Sequence, residues 1–205
     1  MKGKRRKIKM KKKGIFWMNL VLVFALIVGL VSPAVNVNAA GKTKTKKKKV
    51  LVVYFSATGT TKSVAKKIKK ATGGKLYKIK PAEPYTSSDL DYSNDDCRAN
   101  VEQQDGKVRP KIKGKVKKIR KYDVIFLGYP IWWEKEPMII RTFLESYNLK
   151  GKKIVPFCTS GGSGISGSMK GIKAAAKGAK VVKGKDLTDA SSKSVAKWAK
   201  KKVKK

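Results

Sequence analysis

The stretch that most constrains this chain is Val50 to Thr61, VLVVYFSATGTT. Val50 to Phe55 is a continuous apolar run rich in β-branched and aromatic residues. Such a run predicts a strand buried on both faces. Small or hydroxyl-bearing residues follow: Ser56, Ala57, Thr58, Gly59, Thr60 and Thr61. Val64, Ala65 and Ile68 then recur at helical spacing with lysines between them. The order is strand, small polar turn, helix start. A helix N-terminus has free N–H groups and the positive end of a dipole, which together attract phosphate. Gly59 lets backbone approach a ligand, and the hydroxyls of Ser56, Thr58, Thr60 and Thr61 can donate to phosphate oxygens. The plainer alternative is a strand–helix connection with a Ser/Thr cap. The run is not a Walker A loop, which needs Gly-x-x-x-x-Gly-Lys-Ser/Thr, nor a dinucleotide fingerprint, which needs three spaced glycines.

Downstream, Thr61–Ala71 is expected to be helical and to end at Thr72-Gly73-Gly74. Leu76, Tyr77 and Ile79 predict a second strand closed by Pro81. Residues 82–108 are expected to be irregular, with a short helix from Asp95 to Gln104. Their acidic cluster (Asp89, Asp91, Asp95, Asp96) lacks the central Gly and terminal Glu of a calcium loop. It reads as a solvated loop that balances nearby lysines. Ile112, Val116 and Ile119 are spaced for a short helix. Asp123–Tyr129 and Ile154–Cys158 are core strands, and Pro137–Tyr147 is a helix with Pro137 at its first position. A helix to Lys177, a strand over Ala179–Val182 and a helix over Asp189–Lys204 complete the order. Strands and helices alternate through residues 50–205. The fold class is therefore α/β, a three-layer, doubly wound, five-stranded parallel sheet. The order 2-1-3-4-5 suits it, with a ligand at the carboxyl ends of the strands.

Three polar or aromatic stretches sit at such ends. Strand one leads into Ser56–Thr61, strand three into Gly128–Trp133 (GYPIWW), and strand four into Thr159–Gly164 (TSGGSG). They supply an anion cradle, wide aromatic faces beside a flexible glycine, and N–H groups exposed by glycines. A flat heteroaromatic ring with a phosphate tail needs this set. For Trp132-Trp133 the plainer reading is core filling by one of the two.

Ser56-x-Thr58-Gly59-x-Thr61, GYPIWW and PFCTSGGSG (156–164) resemble the three flavin loops of the flavodoxins, in a bacterial branch that includes secreted members. The resemblance covers Lys49 to about Lys200 and implies non-covalent FMN. By that likeness Ser56, Thr58, Gly59, Thr60 and Thr61 bind the phosphate. Pro130, Ile131, Trp132 and Trp133 border the isoalloxazine ring, and Thr159, Ser160, Gly161 and Gly162 line its other edge. It further implies a redox protein. The alternatives are a flavin-dependent NAD(P)H or quinone reductase, or a non-enzymatic polyanion-binding protein on a flavodoxin scaffold.

Composition narrows the rest. Histidine is absent, which removes Ser-His-Asp and Cys-His catalysis and argues against zinc chemistry. No metal ligands and no general acid or base are assigned. Cys158 has Gly164, not Arg, six residues on, so a phosphatase loop is excluded. With Cys97 it forms a pair of thiols, free or bridged. Met1–Lys13 carries nine basic residues, and Ile15–Val31 is a 17-residue run broken only by Asn19. This reads as a secretory signal peptide over residues 1–39, with a retained membrane anchor as the rival. Residues 40–49 form a lysine-rich linker. The expected location is secreted or cell-surface, in a bacterium. The whole chain has 51 basic against 13 acidic residues, a net +38. Without the nine in the leader, 42 basic residues still face those 13, or +29. An anionic cell wall, membrane face or acidic redox partner is therefore expected to attract it, with strong salt dependence. A small acceptor is the other candidate partner. No specific nucleic acid is expected, because the aromatics are not interleaved with a basic stripe. The positive field is expected to make the flavin's reduction potential less negative than in acidic relatives.

Overall fold

The computed structural model describes Lys47–Lys204. The leader, the anchor and most of the linker lie outside these residues. Among the described residues no helix is long and apolar enough to cross a membrane. The main sheet is built from β1 (Val50–Tyr54), β2 (Lys75–Lys78), β5 (Val124–Pro130), β6 (Lys153–Thr159), β7 (Lys180–Val181) and β8 (Lys185–Asp186). A separate antiparallel pair is formed by β3 (Lys80–Pro81) and β4 (Ile112–Lys113). The helices are α1 (Thr60–Thr72), α2 (Arg98–Gln104), α3 (Met138–Glu145), α4 (Met169–Ala175) and α5 (Ser192–Lys204).

The order β2-β1-β5-β6-β7 is parallel throughout. It is the doubly wound arrangement expected from the alternating pattern. Side chains of β1 alternate between two cores. Leu51 and Val53 pack on the side of Ile139, Ile140, Phe143 and Ile172, from α3 and α4. Val50, Val52 and Tyr54 pack on the side of Val64, Ala65, Ile68, Val195 and Ala199, from α1 and α5. Both faces are covered, which is why the strand is apolar at every position.

The structure departs from the sequence reading in three places. The fifth strand is split. Val182 and Leu187 donate to the carbonyls of Ile154 and Cys158, so those β6 groups face the edge. Pro156 lies between them and has no N–H to offer that edge. The neighbouring chain breaks there, into β7 and β8. The second departure is Ile112, which pairs with Pro81 in a strand and does not start a helix. Gly114 follows at φ 79, and a 3-10 turn forms later at Ile119–Lys121. The third concerns helix limits. Pro137 sits at φ −59, ψ 142, one position before α3, and α5 starts only at Ser192, after Ser191 Oγ accepts the Ser194 N–H.

Gly128 in β5 is a packing glycine. A Cβ there would stand 2.1 Å from Phe157 Cζ, and that ring is fully buried. Gly128→Ala is expected to lower unfolding free energy by about 1–3 kcal/mol, the usual cost of overpacking. Urea denaturation checks this.

Candidate functional site

Three loops leave the carboxyl ends of β1, β5 and β6 and enclose one cleft of about 420 Å³. In the first loop Gly59 is the N-cap of α1 at φ 105, ψ −15, a left-handed conformation that favours glycine. Its N–H donates to Ser56 Oγ at 3.0 Å. Among the described residues, the N–H groups of Thr58, Thr60, Thr61 and Lys62 donate to no protein group. They are the orphan donors of a helix start, and the cleft opens beside them.

The third loop is tied to the first and to the chain after β8. Thr61 Oγ1 and Thr159 Oγ1 are 2.7 Å apart and buried. Thr188 Oγ1 accepts the Ser160 N–H at 2.8 Å and donates to Asp186 Oδ1 at 2.6 Å. Ser160 Oγ accepts the N–H groups of Gly162 and Gly164, both at 3.1 Å. Those two amides, expected to be open to a ligand, are thus used to shape the loop.

In the second loop Trp132 is buried and Trp133 is 58% exposed. The chain reverses here: Trp132 N–H donates to the Lys135 carbonyl and Lys135 N–H to that of Trp132, both at 3.0 Å. The central residues Trp133 and Glu134 have φ 46 and 62. That is a type I′ turn, ordinarily made by Asn and Gly. It is held in place from beneath. Trp133 Nε1 donates to Asn100 Oδ1 at 2.6 Å, and Gln103 Nε2 donates to the carbonyls of Trp132 at 2.9 Å and Glu136 at 3.3 Å. Glu136 is fully buried and accepts from Arg141 Nε at 2.7 Å. Burial pushes the Glu136 carboxyl above its ordinary range, against the pull of Arg141.

Of the residues read from sequence, Ser56, Thr58, Thr60, Thr61, Pro130, Ile131, Trp132, Thr159, Ser160 and Gly161 line this cleft. Gly59, Trp133 and Gly162 do not. Gly59 acts through its backbone angle. Trp133 turns toward Asn100, and Gly162 lies in an adjoining hollow with Asp186, Thr188 and Asp189.

The profile of the Flavodoxin family matches residues 49–202. The chain belongs to the flavodoxin family. A flavoprotein from Bacteroides eggerthii DSM 20697 is 49% identical, over 75% of this chain and 96% of that one, with a TM-score of 0.71. A flavoprotein from Bacteroides uniformis ATCC 8492 is 44% identical over 76% and 99%, with a TM-score of 0.72. A Lactobacillus acidophilus NCFM flavoprotein, solved in complex with FMN, is 27% identical over 68% and 93%, with a TM-score of 0.57. No curated relative matches the chain.

This flavodoxin cleft has lining residues that sequence reasoning missed: Ala57, Leu90, Tyr92 and Thr188. Leu90 and Tyr92 come from the acidic segment. Residues 83–105 hold seven of the 13 acidic residues and one basic residue, Arg98. Among the described residues none of their carboxylates forms an ion pair with a lysine. Asp89 accepts from Thr86 N–H and Oγ1, and Asp91 from Ser93, which fixes the local turns that carry Leu90 and Tyr92 to the cleft. The Thr86 hydrogen bonds hold the Asp89 carboxyl below its ordinary value. Asp89 and Asp91 thus bracket the cleft-lining Leu90 in sequence, and Asp186 and Asp189 line the adjoining hollow, in a chain that is basic elsewhere. Exposed charges act over about 8–10 Å, so these carboxylates oppose the lysine field at the cleft.

Both cysteines are buried and free. Burial, with Asp186 nearby, pushes the Cys158 thiol far up, so it behaves as a small core residue. Among the described residues no group of His, Cys, Asp or Glu is placed to hold a metal ion.

Proposed function

We propose that this flavodoxin-family chain holds FMN in the cleft and carries electrons outside the cytoplasm. The observation that carries the reading is the meeting of three strand-end loops around one space. The unengaged N–H groups of Thr58, Thr60, Thr61 and Lys62 fit a phosphate. Trp132 and Ile131 offer an apolar wall for a planar ring, and Gly161 and Ser160 offer a polar one. FMN, when bound, supplies the redox chemistry. The chain's own residues hold the phosphate, exclude water from one ring face, and fix the loops through Thr61–Thr159, Ser160–Thr188 and Gln103. The sequence of residues 1–39 supports export, to the medium or the cell surface.

The partner follows from charge. The ion pairs Arg98–Glu102, Arg109–Glu145 and Arg141–Glu136 all use arginine. The lysine excess favours an anionic wall or membrane surface. The carboxylates of Asp186 and Asp189, in the hollow beside the cleft, make the potential less sensitive to that excess than net charge implies. Either a redox protein or a small acceptor would approach at the open side of the cleft.

The purified mature chain is expected to be yellow and to release FMN on denaturation in a 1:1 ratio, about one cofactor per cleft. A colourless chain that ignores added FMN would overturn the reading and favour the polyanion-binding scaffold. Steady NAD(P)H oxidation by the loaded protein would make it a reductase.

A further inference from the structure

A second cavity of about 250 Å³ lies beside the cofactor cleft and shares Ser56 and Ala57 with it. Its other walls are Lys78, Lys80 and Lys113, and the apolar faces of Phe55, Pro81 and Tyr85. The lysines are brought together by the backbone. Lys78 and Lys80 flank the fully buried Ile79, so alternation sends them to the same side. Lys80 pairs directly with Lys113 across β3 and β4. Like charges directly opposite on an antiparallel pair destabilise it. None of the three ammonium groups meets a carboxylate or other hydrogen-bond partner among the described residues. Glu102, bonded to the cavity-lining Tyr85, is engaged by the Tyr85 hydroxyl at 2.5 Å and Arg98 Nε at 2.7 Å. Besides the shared Ser56 and Ala57, aromatic rings stand between the two cavities. Phe55 and Tyr85 have ring centroids 5.6 Å apart, and each packs on Trp132, at 5.6 and 5.2 Å.

We infer that Lys78, Lys80 and Lys113 form an anion subsite that takes the phosphate group of a small molecule lying one aromatic layer from the cofactor. The oxyanion offsets the repulsion between Lys80 and Lys113, and Tyr85 and Pro81 contact the fragment attached to it. The volume lies just below the roughly 300–1,000 Å³ of ordinary ligand pockets, so the occupant is a phosphate with a short attachment. The identity of the neighbouring cleft rests on the FMN reading, but the lysine subsite does not.

The test is calorimetric titration of inorganic pyrophosphate into the FMN-loaded chain, where the first loop is already filled. One saturable site is expected. The double variant Lys80→Thr/Lys113→Thr is expected to weaken it at least about tenfold, as charge-assisted hydrogen bonds are lost. FMN affinity should stay unchanged. In thermal melts pyrophosphate should raise the midpoint of the wild type more than that of the variant. The anion-free variant should melt no lower than the anion-free wild type. If the chain does not take FMN, the same titration on the cofactor-free protein should show one site more in the wild type than in the variant. FAD separates the sources of the phosphate. Tighter binding of FAD than FMN, lost in the variant, would assign the subsite to a dinucleotide's diphosphate. Equal binding of the two, with pyrophosphate still bound beside FMN, would assign it to a separate ligand. Absence of saturable pyrophosphate binding, or equal binding by wild type and variant, would overturn the inference.

Discussion

Arg141→Ala is expected to lower unfolding free energy by about 3–5 kcal/mol at neutral pH, because it strands a buried carboxylate. Glu136 is fully buried, its Oε1 is 2.7 Å from Arg141 Nε, and among the described residues its Oε2 has no hydrogen-bond partner. The arginine is the group that makes a charge there tolerable. The sign of the pH dependence follows. Burial raises the folded-state pKa of Glu136, and removing Arg141 raises it further. A raised carboxyl pKa means the folded state binds its proton more tightly. The variant's deficit should therefore grow as pH rises through and above the ordinary carboxyl range, and shrink as pH falls back. Urea denaturation across that range reads it out. A second substitution, Glu136→Gln, should recover much of the loss by removing the stranded charge. A loss under about 1 kcal/mol, the level of an exposed pair, would show that Glu136 is better hydrated than its burial indicates. The cofactor should feel the same change. Glu136 and Trp132 are joined through Gln103, so a loosened carboxylate loosens the wall of the cleft.

The second large effect is expected at Trp132. Its indole is 3% exposed and packs against Phe55, Tyr85 and Tyr92. Trp132→Ala should lower stability by about 3–5 kcal/mol through the cavity it opens. It should also abolish detectable FMN retention during purification, since the same ring lines the cleft. Trp132→Phe separates the two consequences. It should fold with a cost near that of a modest volume change, about 1.5 kcal/mol or less, yet bind FMN more weakly. Unchanged flavin affinity in both variants would remove Trp132 from the site.

Much of this was legible because the signals were local. Val50–Phe55 is apolar at every position, which only a strand covered on both faces explains, and the loop after it is short. The same holds for Val124–Tyr129 and Ile154–Cys158. Long-range causes were not legible. Nothing near Ala179 announces that Pro156, on another strand, withholds the N–H that would keep the edge continuous. Leu90 and Tyr92 sit among aspartates, and a charge-rich loop reads as solvated until packing on Trp132 brings it to the cleft. Thr188 looks like an ordinary turn residue; its hydroxyl matters because Ser160 is 28 positions away in sequence and 2.8 Å away in space. Trp132 and Trp133 are identical in type and adjacent, and only the reversed turn sends one inward and the other to solvent.

The broken edge strand bears on how such a chain avoids self-association. A long, flat sheet border is a template for pairing with another copy, and that danger is greatest while a protein is only partly folded. Here one border consists of two dipeptide strands with Gly184 wedged against Pro156 between them. The opposite border, β2, is four residues long with a lysine at each end. One border is interrupted and the other is short and lysine-flanked, so strand addition by a second molecule is disfavoured at both sides.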